Sequence, residues 1–98
     1  MQNEVTRVIF RVNEKYGEVV AVFPEIPSSP RYSECMCYAH IGQHGGCTIE
    51  WYSKTRAAKH NEYADLLREL QRVGYDDLVI RKRWTSRMDR ARLSALDN

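Results

Sequence analysis

Val5-Thr6-Arg7-Val8-Ile9-Phe10-Arg11-Val12, followed after a five-residue connection by Glu18-Val19-Val20-Ala21-Val22-Phe23, is the stretch that decides the fold. In the first run Val8, Phe10 and Val12 fall on one face, and Arg7, Ile9 and Arg11 on the other. Alternation of branched and aromatic side chains with polar ones is the signature of a strand. The connection Asn13-Glu14-Lys15-Tyr16-Gly17 ends in glycine, which suits a hairpin. The second run is apolar almost throughout, so it reads as a central strand covered on both faces.

Outward from this hairpin, Pro24 to Pro30 holds three prolines in seven residues. Proline lacks the amide that a strand ladder needs, so the segment reads as a loop. Ser33 to Ile41 alternates again, with Cys35, Cys37, Ala39 and Ile41 opposite Met36, Tyr38 and His40, and predicts a third strand. Gly42-Gln43-His44-Gly45-Gly46 reads as the turn that breaks it. Residues 47–55 suit either a strand or a short helix. The glycine turn leading into Thr48 as an N-cap favours the helix.

Tyr63, Leu66, Leu67, Leu70 and Val73 form one apolar stripe at helical spacing, which predicts a helix over 61–73. Asn61 is placed to cap it, and Gly74 to end it in a left-handed conformation. Leu78-Val79-Ile80 then begins a last strand. Ser86 with Asp89 resembles a capping box, and Leu93 and Leu96 give a thin apolar edge. The tail is thus either a short helix that docks elsewhere or a flexible end. The expected architecture is one α+β domain over 1–84, with a basic C-terminal tail or short helix over 85–98. Its sheet has three or four mainly antiparallel strands, packed by one main amphipathic helix in two layers.

The 98 residues, 43% of them hydrophobic, suffice for one modest core and exclude a disordered chain. No apolar run approaches the ~20 residues of a membrane span. Met1-Gln2-Asn3-Glu4 has neither a basic start nor an apolar stretch, so a cytoplasmic location is expected. Cys35, Cys37 and Cys47 make an odd count, which fits reduced thiols better than a disulfide framework. Residues 1–80 carry 9 basic and 11 acidic side chains, whereas residues 81–98 carry 6 basic and 2 acidic. A mildly acidic body with a basic tail is more informative than the overall charge of +2.

Several segments together resemble one protein group. They are Val8-Ile9-Phe10-Arg11, Gly17-Glu18-Val19-Val20-Ala21-Val22-Phe23-Pro24-Glu25, His40-Ile41-Gly42-Gln43-His44-Gly45, Glu62-Tyr63-Ala64-Asp65-Leu66-Leu67 and Gly74-Tyr75. The resemblance covers roughly residues 5–83. The group comprises small proteins of gut Bacteroidetes and of phages or mobile elements, and it has no established activity. The resemblance therefore implies an origin on a mobile element but no catalytic or binding residue. The chain departs from the pattern at Ala57, where proline is common, and beyond Trp84.

Four constellations bear on chemistry. Cys35, Cys37, His40, His44, Cys47 and His60 are all able to ligate zinc, but one residue between Cys35 and Cys37 is too few for the usual paired-cysteine spacing. Buried cysteines packing as small apolar residues is the simpler reading, and neither metal nor cofactor is expected. Nucleophilic catalysis by a cysteine would need His40, His44 or His60 in reach, and no cysteine signature surrounds these thiols, so no enzyme is expected. The glycine turn exposes Gln43 and His44 as candidate binding residues. Arg81, Lys82, Arg83, Arg87, Arg90 and Arg92 place six cations in twelve residues, with Trp84 among them. Cations neutralise phosphates and an aromatic can stack on a base.

The binding residues expected are thus Gln43, His44, Arg81, Arg83, Trp84, Arg87 and Arg90. The function expected is that of a non-enzymatic accessory protein working through a protein partner or self-association as a homodimer. The alternative is nucleic-acid binding through the basic 81–92 segment, and zinc binding through 35–47 stands behind both.

Overall fold

The computed structural model describes residues 5–28, 34–39 and 43–96. Strands β1 (Thr6–Asn13) and β2 (Glu18–Pro27) form the expected hairpin, in the register Ile9↔Val22 to Asn13↔Glu18. Gly17 closes its turn at φ +64°, a conformation that costs glycine little. On the far side of β2 lie β3 (Glu34–Ala39) and then β4 (Gln43–Thr48), both antiparallel to their neighbours. The outer edge of β1 is shared by two short strands. β5 (Arg56–Ala57) pairs antiparallel with Arg11 and Val12, and β6 (Leu78–Ile80) pairs parallel with Thr6 to Val8. The order is β4-β3-β2-β1-β5, with β6 also on β1, so β2 is central as its apolar run requires.

The α+β class is as expected, and the antiparallel sheet is wider than three or four strands. The extra strands are β4 and the two-residue β5, and β2 is longer than expected. The 42–46 segment is no turn from Gln43 onward: Gln43 to Thr48 pairs along β3, and Gly46 is small because Ser28 crosses it. A Cβ at Gly46 would stand 2.6 Å from the Ser28 hydroxyl. The proline segment is no loop up to Pro27, because β2 continues through it. Pro24 is tolerated because the β2–β3 register shifts between Phe23 and Pro27, so its missing amide falls where the ladder is interrupted; Pro27 closes that shift opposite Cys35, at the end of the strand. Residues 40–42 of the expected third strand and turn lie outside the described residues.

Both faces of the sheet are covered. On one, Val8, Phe10, Ala21, Phe23 and Tyr38 pack against Leu66 and Leu70 of α2 (His60–Arg72). Burial of side chains of this size contributes roughly 1.5–3 kcal/mol each. Phe10 stacks on Tyr63 with ring centres 4.4 Å apart, and the Tyr38 hydroxyl donates to Glu69 at 2.6 Å. The helix begins before Asn61, and the Glu62 carboxylate accepts the Lys59 amide at 2.8 Å. It ends as expected at Gly74, φ +118°, with the Tyr75 amide donating to the Leu70 carbonyl and the Gly74 amide to that of Gln71. Val73 is more than half exposed and contributes little to the stripe.

On the other face, Ile9, Val20, Val22, Cys35, Cys47 and Met88 are buried beneath Trp51, Tyr52 and Trp84. Helix α1 (Ile49–Ser53) supplies Trp51 and Tyr52, and the Thr48 hydroxyl caps it by accepting the Trp51 amide at 3.1 Å. Helix α3 (Ser86–Leu96) lies across β2. Its cap is Thr85 rather than Ser86, since the Thr85 hydroxyl accepts the Met88 amide at 3.3 Å. Its inward side is Met88 and Arg92, while Leu93 is exposed. Among the described residues no helix is long and apolar enough to cross a membrane.

Candidate nucleic-acid interface

β6 ends at Ile80 with the Arg81 amide donating to the Val8 carbonyl at 2.8 Å, and the chain then crosses to α3. This crossing walls a groove of about 380 Å³ at the open end of the hairpin, lined by Arg7, Glu25, Arg81, Lys82, Arg83, Thr85, Arg87 and Met88. Its floor is the Arg7–Glu25 ion pair, 3.1 Å between nitrogen and oxygen. Arg90 follows Arg87 by about one helical turn, on the exposed surface of α3.

The cations of 81–92 divide into two kinds. Arg81, Lys82, Arg83, Arg87 and Arg90 are exposed, and among the described residues none of them is paired with a carboxylate. Arg92 is 5% exposed; it donates to the Pro24 carbonyl at 2.7 Å and pairs with Asp89 at 3.0 Å. Trp84 is half-buried: its indole nitrogen donates to Asp89 at 2.6 Å, its ring meets Tyr52 edge-on, and the Arg92 guanidinium lies 5.5 Å from its centre. Trp84 and Arg92 are therefore engaged within the fold and do not line the groove. Arg7 and Glu25 were missed by reading the sequence. Only the pairing of β1 with β6, and the extension of β2 past Pro24, bring them to the basic segment.

Gln43 and His44 lie on β4, the strand at the opposite edge of the sheet, so the structure does not join them to the basic groove. Their side chains, and all of His40, lie outside what is described. The three cysteines share the α3 face of the sheet, whereas His60 stacks edge-on against Tyr63 on the α2 face. The sheet thus separates His60 from the thiols. Among the described residues no three His, Cys, Asp or Glu side chains are grouped to hold a metal ion. A hydrogen bond with Cys47 and then burial hold the Cys37 thiol well above the ordinary thiol range. Cys47 is pushed up to about 12, first by its hydrogen bond with Cys35. Protonated thiols are poor nucleophiles, the reverse of an activated catalytic cysteine.

Comparison with protein-family models, with curated proteins and with solved structures finds no match.

Proposed function

We propose that this protein is a non-enzymatic, cytoplasmic nucleic-acid-binding protein that grips the phosphodiester backbone of a duplex through the groove at the β6–α3 crossing. The observation that carries this reading is the set of five exposed cations, Arg81, Lys82, Arg83, Arg87 and Arg90, that no carboxylate among the described residues neutralises. Uncompensated cations at this density release counterions when they meet a line of phosphates. An acidic protein partner is less well served, because protein interfaces centre on exposed aromatic or aliphatic anchors. The groove's one large apolar side chain, Met88, is buried. Single strands are held mainly by stacking on aromatic rings, and Trp84 is engaged by Tyr52, Asp89 and Arg92. What is left is contact with phosphates, which positions a protein on nucleic acid without reading its sequence.

The test is fluorescence anisotropy with a labelled 20-base-pair duplex across a salt series. Five phosphate contacts give a log–log salt slope of about −4.5, or a fall of about 500-fold in affinity from 50 to 200 mM salt. Replacing Arg83 and Arg87 together by alanine flattens the slope to about −2.7, and changing the duplex sequence leaves it unaltered. Affinity that is insensitive to salt or to these substitutions overturns the reading. So does a dimer that survives high salt and has no affinity for the duplex, which would favour self-association instead.

A further inference from the structure

Away from the groove, three thiols meet on the α3 face of the sheet. Cys35 and Cys47 are register partners across β3 and β4, and their sulfurs are 3.4 Å apart. Directly opposed residues of an antiparallel pair have Cα atoms roughly 4.5–5.5 Å apart, inside the range a disulfide spans. Cys37 lies two residues along β3 on the same face, diagonal to Cys47 across the β3–β4 pair, and both line the same cleft. Cys47 thus neighbours both other thiols, Cys35 directly opposite and Cys37 diagonally. Cys35 and Cys47 are buried, but Cys37 is half-exposed. It lines an open cleft of about 410 Å³, with Glu18, Glu34, Cys47 and Trp51 along its sides.

We propose that this trio is an oxidisable relay in which Cys37 admits the oxidant from the cleft and the stable product is a buried Cys35–Cys47 disulfide tying the edge strand β4 to β3. The oxidant is a low-molecular-weight disulfide. The Cys37 thiolate attacks one of its sulfurs, forming a mixed disulfide and releasing one small thiol. The Cys47 sulfur then attacks that of Cys37, and the second small thiol leaves. Finally the Cys35 sulfur attacks that of Cys47, and Cys37 departs as a free thiol. Each attacking thiol gives up a proton and each departing thiolate takes one. The small disulfide is reduced by two electrons and the protein dithiol is oxidised by two. The end product is favoured because Cys35 faces Cys47 directly, whereas Cys37 sits diagonally to it. Sulfurs at 3.4 Å need close by only about 1.4 Å to reach bonding distance. Entry requires the Cys37 thiolate, so the rate follows its thiolate fraction.

The full-length protein is incubated with oxidised glutathione, quenched with N-ethylmaleimide and mapped by non-reducing peptide mass spectrometry. The wild type is expected to yield a Cys35–Cys47 link with Cys37 carrying maleimide. The reaction quickens about tenfold per pH unit from 7 to 9, and the melting temperature of the oxidised protein rises by roughly 10 °C. Cys47→Ser should stop at glutathione on Cys37, Cys35→Ser at a Cys37–Cys47 link, and Cys37→Ser should oxidise at least tenfold more slowly. Three free thiols in the wild type, a Cys37–Cys47 link as its final product, or links between molecules each overturn the proposal. The wild-type map decides this without any variant having to fold.

Discussion

Arg92 differs from its basic neighbours by its burial and its acceptors. Its guanidinium reaches the carbonyl of Pro24, buried in the extended end of β2, and the same group holds Asp89, which in turn receives the indole nitrogen of Trp84. A hydrogen bond from a charged donor to a buried carbonyl contributes about 1.5–3 kcal/mol, and an orphaned carbonyl adds a further penalty. Arg92→Ala is therefore expected to lower stability by about 3 kcal/mol in urea titration. Arg92→Met, which keeps the aliphatic packing, should recover only part of that loss. If Met restores full stability, the guanidinium is filling space rather than satisfying Pro24. In the sequence the six cations of residues 81–92 look alike. Its pairing with Asp89 is local, but the burial of Arg92 against a carbonyl 68 positions away is not, and no local pattern carries that information.

At the scale of elements, legibility followed the range of the interactions. The hairpin, the stripe of α2, its Gly74 stop and the Thr48 cap of α1 are local patterns, and each stands where its residues indicate. Strand β4 was hidden because Gly45 and Gly46 look like a turn, whereas they pair with Cys37 and Met36, and the crossing of Ser28 gives Gly46 another reason to be small. The groove was half legible: the cations are adjacent in the chain, but the floor under them comes from β1 and β2. The start of α2 was misplaced because its anchor is tertiary. Glu62 accepts the Lys59 amide and both terminal nitrogens of Arg56, whose Nε bonds Glu14 of the hairpin turn. That hydrogen bonding to Arg56 holds the Glu62 carboxyl at about 2, below its usual 4.5. A depressed carboxyl stabilises the fold above its unfolded value and loses that contribution as pH falls through the folded one. Glu62→Gln should thus destabilise at neutral pH, with the gap to wild type narrowing as pH drops from about 4.5 toward 2. Melting temperatures of both proteins over that range measure it, and a constant gap would mean that Glu62 acts by its shape alone.

Taken as a whole, the molecule gathers uncompensated cations at one end. Most of its carboxylates lie within residues 1–80, while the cations of residues 81–90 crowd one end of the hairpin with no carboxylate paired to them among the described residues. Crowded like charges repel one another in the folded state more than in an expanded chain, and salt screens them over a Debye length of about 10 Å at 0.1 M. Stability and binding should therefore respond to salt in opposite senses. Raising sodium chloride from 20 to 300 mM is expected to lift the melting temperature by a few degrees, while affinity for a duplex falls over the same range. The variant with Arg81, Arg83 and Arg87 all changed to alanine should melt higher than wild type at 20 mM and respond little to salt, because the repulsion has been removed along with the phosphate contacts. Calorimetry beside anisotropy on the same samples reads both trends. If the triple variant is instead destabilised at low salt, those arginines hold the β6–α3 crossing in place, and their exposure has a structural purpose rather than one of binding.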